Sequence, residues 1–190
     1  MLIALFFHAS YAYATTIYKE RPPNNISKEP VFRIETGMHI SPARRIGVDA
    51  ENRYAVTGSD DKTVRVWEVS TGKLLKTLRP PIGAGHEGYI YSADISPDGK
   101  TVACGGWTMG GDIFHNVYFF DRESGKMKGR IPDIINVIRH MKYSRDGRYL
   151  VIMLGGNNGF RVFGTKDNLL AGEDKDYGAD CYSADFDGSN

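Results

Sequence analysis

The chain carries five histidines, His8, His39, His86, His115 and His140, and two cysteines, Cys104 and Cys181, as its candidates for acid–base, nucleophilic or metal chemistry. A catalytic centre would need a nucleophile, a base and an orienting group in one place, and a metal would need ligands at a recognisable spacing. The sequence has no His-Glu-x-x-His, no phosphate-binding loop and no Cys-x-x-Cys. Glu173, Asp174, Asp176, Asp180, Asp185 and Asp187 crowd the stretch 173–188, but without the Asp-x-Asp-x-Asp-Gly order of a calcium loop. A water-facing acidic loop is expected there. The residue types therefore predict no metal, no cofactor and no enzymatic activity.

Recognition is the better use of "GGWTMGGDIFHN", 105–116. Its glycines leave Trp107, Met109, Phe114 and His115 able to project, and long loops carrying aromatics and Met on a rigid scaffold commonly make contacts. The opposing reading is that Trp107 and Phe114 fold back as cover. The formal charge of +1, with no local basic patch, argues against nucleic acid as a partner.

The elements that must position these residues repeat. "GVDAENRYAV" (47–56), "DISPDGKTVA" (94–103) and "KYSRDGRYLV" (142–151) each join two apolar, alternating segments by a polar turn, and "YSADFDGSN" (182–190) begins a fourth copy. Four short strands fit each unit: near 43–49, 53–58, 63–69 and 74–79; then 89–95, 100–106, 116–121 and 126–131; then 136–143, 148–154, 159–163 and 168–172. Units of this length with four strands each are the signature of propeller blades. The first residues, "MLIALFFHASYAYA", end in an A-x-A pattern and are expected to be a signal peptide (1–14), followed by a leader at 15–30. Export to the periplasm or beyond is expected, with a cytoplasmic location as the alternative. No segment is long and apolar enough to span a bilayer as a helix. Two cysteines so far apart permit a disulfide in an oxidising compartment without implying one, and buried free thiols are expected.

"GHEGYIYSADISPDGK" (85–100) and "GSDDKTVRVWEVSTGK" (58–73) resemble the Gly-His opening, Asp turn and Trp strand of the WD-repeat β-propeller family. The likeness covers about residues 31–190. The Ser-Pro-Asp-Gly-Lys style is similar to bacterial members, and "FRIETGMH" looks like propellers that precede caspase-like protease domains. The resemblance implies an all-β, incomplete WD-repeat β-propeller, with blades at about 37–80, 81–132 and 133–172 and the first strand of another within 173–190. It also implies a structural tetrad of His39, Thr57, Asp61 and Trp67 in the first blade. The second blade would keep only part of it, His86, beside Cys104, Phe114 and Phe120. In the complete ring, "VFRIET" (31–36) would join the last blade. With three blades the sheet edges stay open, which predicts pairing with further chain or self-association through strand addition.

The expected function is a non-catalytic protein-interaction scaffold. The alternative is the regulatory part of a larger secreted caspase-like peptidase. The expected contact face comprises Trp107, Met109, Phe114 and His115, rimmed by Glu87 and Asp176, for a protein partner.

Overall fold

A computed structural model of the chain describes residues 36–109 and 114–187. The expected signal peptide, the leader and, apart from Thr36, the strand at 31–36 lie outside those residues. Three four-stranded antiparallel sheets follow one another, each a meander in chain order. The first holds β1 (Ala43–Val48), β2 (Tyr54–Ser59), β3 (Val64–Glu68) and β4 (Leu74–Leu78). The second holds β5 (Tyr89–Ile95), β6 (Thr101–Trp107), β7 (His115–Asp121) and β8 (Met127–Ile134), and the third β9 (Ile138–Tyr143), β10 (Tyr149–Leu154), β11 (Phe160–Gly164) and β12 (Leu170–Asp174). Among the described residues the one helical feature is a short 3-10 turn at Gly156–Asn158.

The turn between the first two strands of each sheet explains the sequence repeat. Asn52, Gly99 and Gly147 occupy the same place and all adopt positive φ, a region open to Gly and Asn at low cost. In the second and third units a carboxylate closes the turn: Asp98 accepts the Lys100 amide at 3.0 Å and Asp146 that of Arg148 at 2.9 Å. Ser96 and Ser144 donate their hydroxyls to those same carboxylates.

Alternation along each strand sends side chains to opposite faces, and in the second and third sheets both faces find a neighbour. Val56, Val64 and Val66 of the first sheet share a buried cluster with Val102, Cys104 and Phe120 of the second. Ala103, Val117 and Phe119, from the second sheet's other face, meet Leu150, Ile152 and Leu154 of the third. Val151 and Met153 on the third sheet's far face are covered by Cys181, Ala184 and Phe186. The segment 180–187 thus begins a fourth layer, tied by the Cys181 amide to the Leu154 carbonyl, although no strand forms in it. Cys104 and Cys181 are buried free thiols in separate clusters.

The innermost strands β1, β5 and β9 stand side by side. Gly47 in β1 is required by that proximity, because a Cβ there would lie 2.2 Å from Asp94 Oδ1 and 2.9 Å from its Cα. Asp94 continues the chain of contacts: its Oδ2 accepts the Tyr143 amide of β9 at 2.8 Å, and Lys142 Nζ lies 3.6 Å from its Oδ1. Burial raises the Asp94 carboxyl above its usual range, and Lys142 offsets only part of that.

Several boundaries differ from the expectation: β8 runs on to Ile134, past the expected end at 131 and across the expected blade boundary after 132, and β9 begins at Ile138 instead of 136. The last strand of the third sheet runs over Leu170–Asp174, so Glu173 and Asp174 belong to a strand and not to the acidic loop. Glu173 there accepts from Arg161 at 2.7 Å and from Lys175 at 2.6 Å, and cations along the edge draw the carboxylate into the ladder.

Gly47→Ala is expected to cost about 1–3 kcal/mol, as overpacking against fixed backbone does. Gly129→Ala, where an added Cβ meets nothing within 4 Å, is expected to stay within about 0.5 kcal/mol. Urea unfolding of the two variants beside the parent chain checks both values.

Candidate functional site

The first sheet's polar groups form one chain of hydrogen bonds. Trp67 Nε1–H donates to Thr57 Oγ1 at 2.9 Å, Thr57 lies 2.8 Å from His39 Nε2, and His39 Nδ1 lies 2.8 Å from Asp61 Oδ2. The order is consistent with one tautomer: Thr57 accepts from Trp67 and donates to Nε2, and Nδ1–H donates to Asp61. Asp61 is further held by the Thr63 hydroxyl at 2.6 Å and by the Thr63 and Ile40 amides at 3.0 and 3.2 Å. Burial pushes the Asp61 carboxyl up, but the hydrogen bonds from Thr63 and His39 outweigh it and hold the group below its ordinary value. The β2–β3 turn supplies Asp61, and two adjacent strands supply Thr57 and Trp67. Every member therefore has a partner inside the first sheet.

The second sheet departs from this pattern. Phe114 and Phe120 stand where an Asp and a Trp would be, so His86 finds no carboxylate and remains exposed. Its ring lies tilted on Tyr89, 5.0 Å between centroids, and edge-on to Trp107 at 6.1 Å. His86 is thus part of a surface aromatic group and not of a buried tetrad.

The expected contact face divides. His115, expected to project, is buried as the first residue of β7, where its Nδ1 accepts the Thr108 amide at 3.1 Å. Burial lowers its pKa from 6.5 to about 4, so it is neutral near pH 7. Trp107 is drawn inward as the last residue of β6, its ring edge-on to His115 at 5.6 Å. The physical reason is a polar clasp below the loop tip. Thr108 Oγ1 donates to the Asn116 carbonyl at 2.6 Å, and Asn116 Nδ2 donates to the carbonyls of Thr108 and Met109 at 3.0 Å each. Met109 is half-buried and Phe114 remains exposed; residues 110–113 lie outside the described residues. Glu87 is half-buried in the turn before β5, while Asp176 is exposed after β12, its amide bonded to Asp174. Thr108 and Asn116 were missed by sequence reasoning. Their only signal was a Thr–Asn pair flanking the glycine-rich loop.

Among the described residues, no group of three or more His, Cys, Asp or Glu side chains is placed to hold a metal ion. No helix there is long and apolar enough to cross a membrane.

The stacked meanders define a partial β-propeller, and two of its stretches match the WD domain, G-beta repeat, at residues 38–68 and 72–110, the second running from β4 of the first sheet through β6 of the second. The crystal structure of RRP9 WD40 repeats superposes with a TM-score of 0.60 and 15% identity, over 72% of this chain and 39% of that one. The structure of U3-55K gives the same TM-score and identity, with 40% of its chain covered. Among curated sequences, the Ribosome biogenesis protein BOP1 homolog of Culex quinquefasciatus is 48% identical over 60 residues, and that of Drosophila melanogaster 42% over 40. The matched parts are 32% and 21% of this chain, and only 6% and 5% of those relatives. These relatives overturn the expected periplasmic or secreted location, since ribosome biogenesis is not work done by exported proteins. They are also insect proteins, not bacterial ones.

Trp67→Phe is expected to cost about 0.5–1.5 kcal/mol by removing the indole donor from half-buried Thr57. Its thermal melt beside that of the parent checks this. A second expectation concerns pH. His115 has a depressed pKa in the folded chain, so the unfolded chain binds the extra proton between about pH 6.5 and pH 4. Its contribution is present above 6.5 and is lost as pH falls to about 4. The stability difference between the parent chain and His115→Asn, followed by chemical unfolding across that window, should therefore drift against the parent on acidification.

Proposed function

We propose that this chain is a non-catalytic WD40 scaffold that assembles proteins in ribosome biogenesis. One observation carries the non-catalytic part: among the described residues, most groups that could do chemistry are spent on architecture, with His86 the exposed exception. His39 and Asp61 hold the first sheet together, His115 is buried and neutral, and Asp94 bonds β5 to β9. What the fold leaves exposed is contact surface, which is what a protein-interaction module needs. The matches to BOP1 homologs support ribosome biogenesis as the setting, and they cover one third of this chain or less. Protein partners fit better than nucleic acid, because the net charge of +1 supplies no long-range attraction for phosphates. No observation favours the peptidase-linked reading.

Sedimentation of an epitope-tagged chain through a sucrose gradient of cell extract tests this. Co-migration with pre-ribosomal particles, with the particles' proteins still co-precipitating with the tagged chain after ribonuclease treatment, is the expected result. Migration only with free protein, or with assemblies lacking ribosomal proteins, would remove the ribosome-biogenesis role.

A further inference from the structure

The ladders of the three innermost strands each skip one residue at the same place. In β1 the register steps from Ala43 to Arg45, in β5 from Ile90 to Ser92 and in β9 from Ile138 to His140. The bulged residues are Arg44, Tyr91 and Arg139, and Tyr182 holds the corresponding position in the fourth copy, each three residues before Gly47, Asp94, Lys142 and Asp185. A bulge turns its side chain out of the sheet's regular alternation, and here it brings members of successive units together. The Arg44 guanidinium lies 5.4 Å from the Tyr91 ring centre, Arg139 lies 5.8 Å from Tyr91, and Arg139 lies 5.9 Å from Tyr182. The result is an alternating arc, Arg–Tyr–Arg–Tyr, spanning four successive units of the repeat.

The ion pairs of this arc are lopsided. Arg44 binds Asp60 through both Nε and Nη2, at 2.9 and 2.5 Å, yet the Arg side chain is 48% exposed and the Asp 10%. Arg139 binds Asp180 at 3.1 Å, with 34% and 24% exposure. Asp180 is held from behind by the Gly156 amide and by the Tyr182 hydroxyl at 2.9 Å. Arg45, next to the first bulge, donates to the Tyr182 carbonyl at 2.9 Å. A visitor to this arc therefore meets guanidinium groups, pre-oriented on tyrosine faces, before it meets carboxylates. A guanidinium group whose Nε–Nη2 fork is fixed in this way by its own carboxylate presents a second planar edge, Nη1–Nη2, that is matched to a further carboxylate.

We infer that the Arg44–Tyr91–Arg139–Tyr182 arc is a docking site for an acidic, extended protein segment, whose Glu or Asp carboxylates bind the guanidinium edges. This deepens the scaffold reading and rests on it. Single-stranded RNA is the weaker occupant. Two guanidinium groups already lie over Tyr91, leaving it little room to stack a base, and the chain as a whole is close to neutral.

The test is fluorescence anisotropy with the full chain, using a fluorescein-labelled peptide of alternating glutamate and serine and, separately, a labelled oligouridylate. Saturable peptide binding is expected, weakened about tenfold by the double variant Arg44→Gln/Arg139→Gln. Arg148→Gln is the matched control, because Arg148 pairs with Asp146 and lies 5.8 Å from the Tyr149 ring outside the arc. It should leave binding unchanged. Phenylglyoxal footprinting of the unaltered chain adds a reading that does not depend on how the variants fold: the peptide should protect Arg44 and Arg139 from modification and leave Arg148 reactive. Absent peptide binding, equal loss on Arg148→Gln, no selective protection, or tighter binding of the oligouridylate would each overturn the inference. Because the probe is synthetic, these outcomes are separate from co-migration with pre-ribosomal particles.

Discussion

The close approach of the innermost strands governs this molecule. A sheet that buries both faces cannot stand alone, so each unit depends on a neighbour pressed against it. The press is tightest between β1 and β5, where Gly47 admits the Asp94 carboxylate, and between β2 and β5, where a Cβ on Gly58 would lie 2.6 Å from Ile90 Cγ2. Gly105 of β6 repeats the arrangement against Ile138 of β9 at 3.1 Å. Missing side chains on one sheet make room for branched ones on the next, and the apolar clusters fill the rest. That apolar contact stabilises the stack in proportion to the area it removes from water.

Polar interactions then specify what packing alone leaves open. In the first sheet the Trp67–Thr57–His39–Asp61 chain joins the segment before β1 to β2 and β3. In the second, the equivalent positions hold Cys104 and Phe120, which turn the same face into apolar contact with the first sheet. A fully bonded polar chain fits the first sheet, and the apolar Cys104 and Phe120 at the equivalent positions of the second need no such partners. The arc of bulged residues is a third use of the same repeat. It places alike positions of successive units beside one another, which gives an alternating row of cations and rings.

Much of the fold was legible in the sequence, because the turn after the innermost strand recurs with positive-φ residues in register, and alternation around it marks each strand. The tetrad was legible only through the resemblance to the WD-repeat family, which implied it, and the hydrogen bonds among His39, Thr57, Asp61 and Trp67 join those four residues. The contact face was legible only in part. The glycines around Trp107 suggested projection, but Thr108 and Asn116 clasp the base of the loop and pull Trp107 and His115 inward. His86 kept the sequence signature of a buried histidine and lost its role, because the carboxylate it needs is replaced by Phe114. The bulges leave no mark in residue type, so the nearness of Arg44, Tyr91 and Arg139 could not be read from their spacing alone. The export expectation rested on a short apolar start, and relatives named for ribosome biogenesis overturned it.

The central claim, that successive sheets are held by direct contact between their innermost regions, is tested most directly by a double-mutant cycle across the first interface. Gly58→Ala alone inserts a methyl group against Ile90, and Ile90→Ala alone opens space there. Direct contact makes the combined variant more stable than the sum of the two single losses, with a coupling of about 0.5–3 kcal/mol. Strictly additive losses would mean that these residues do not touch, and would contradict the stacked arrangement.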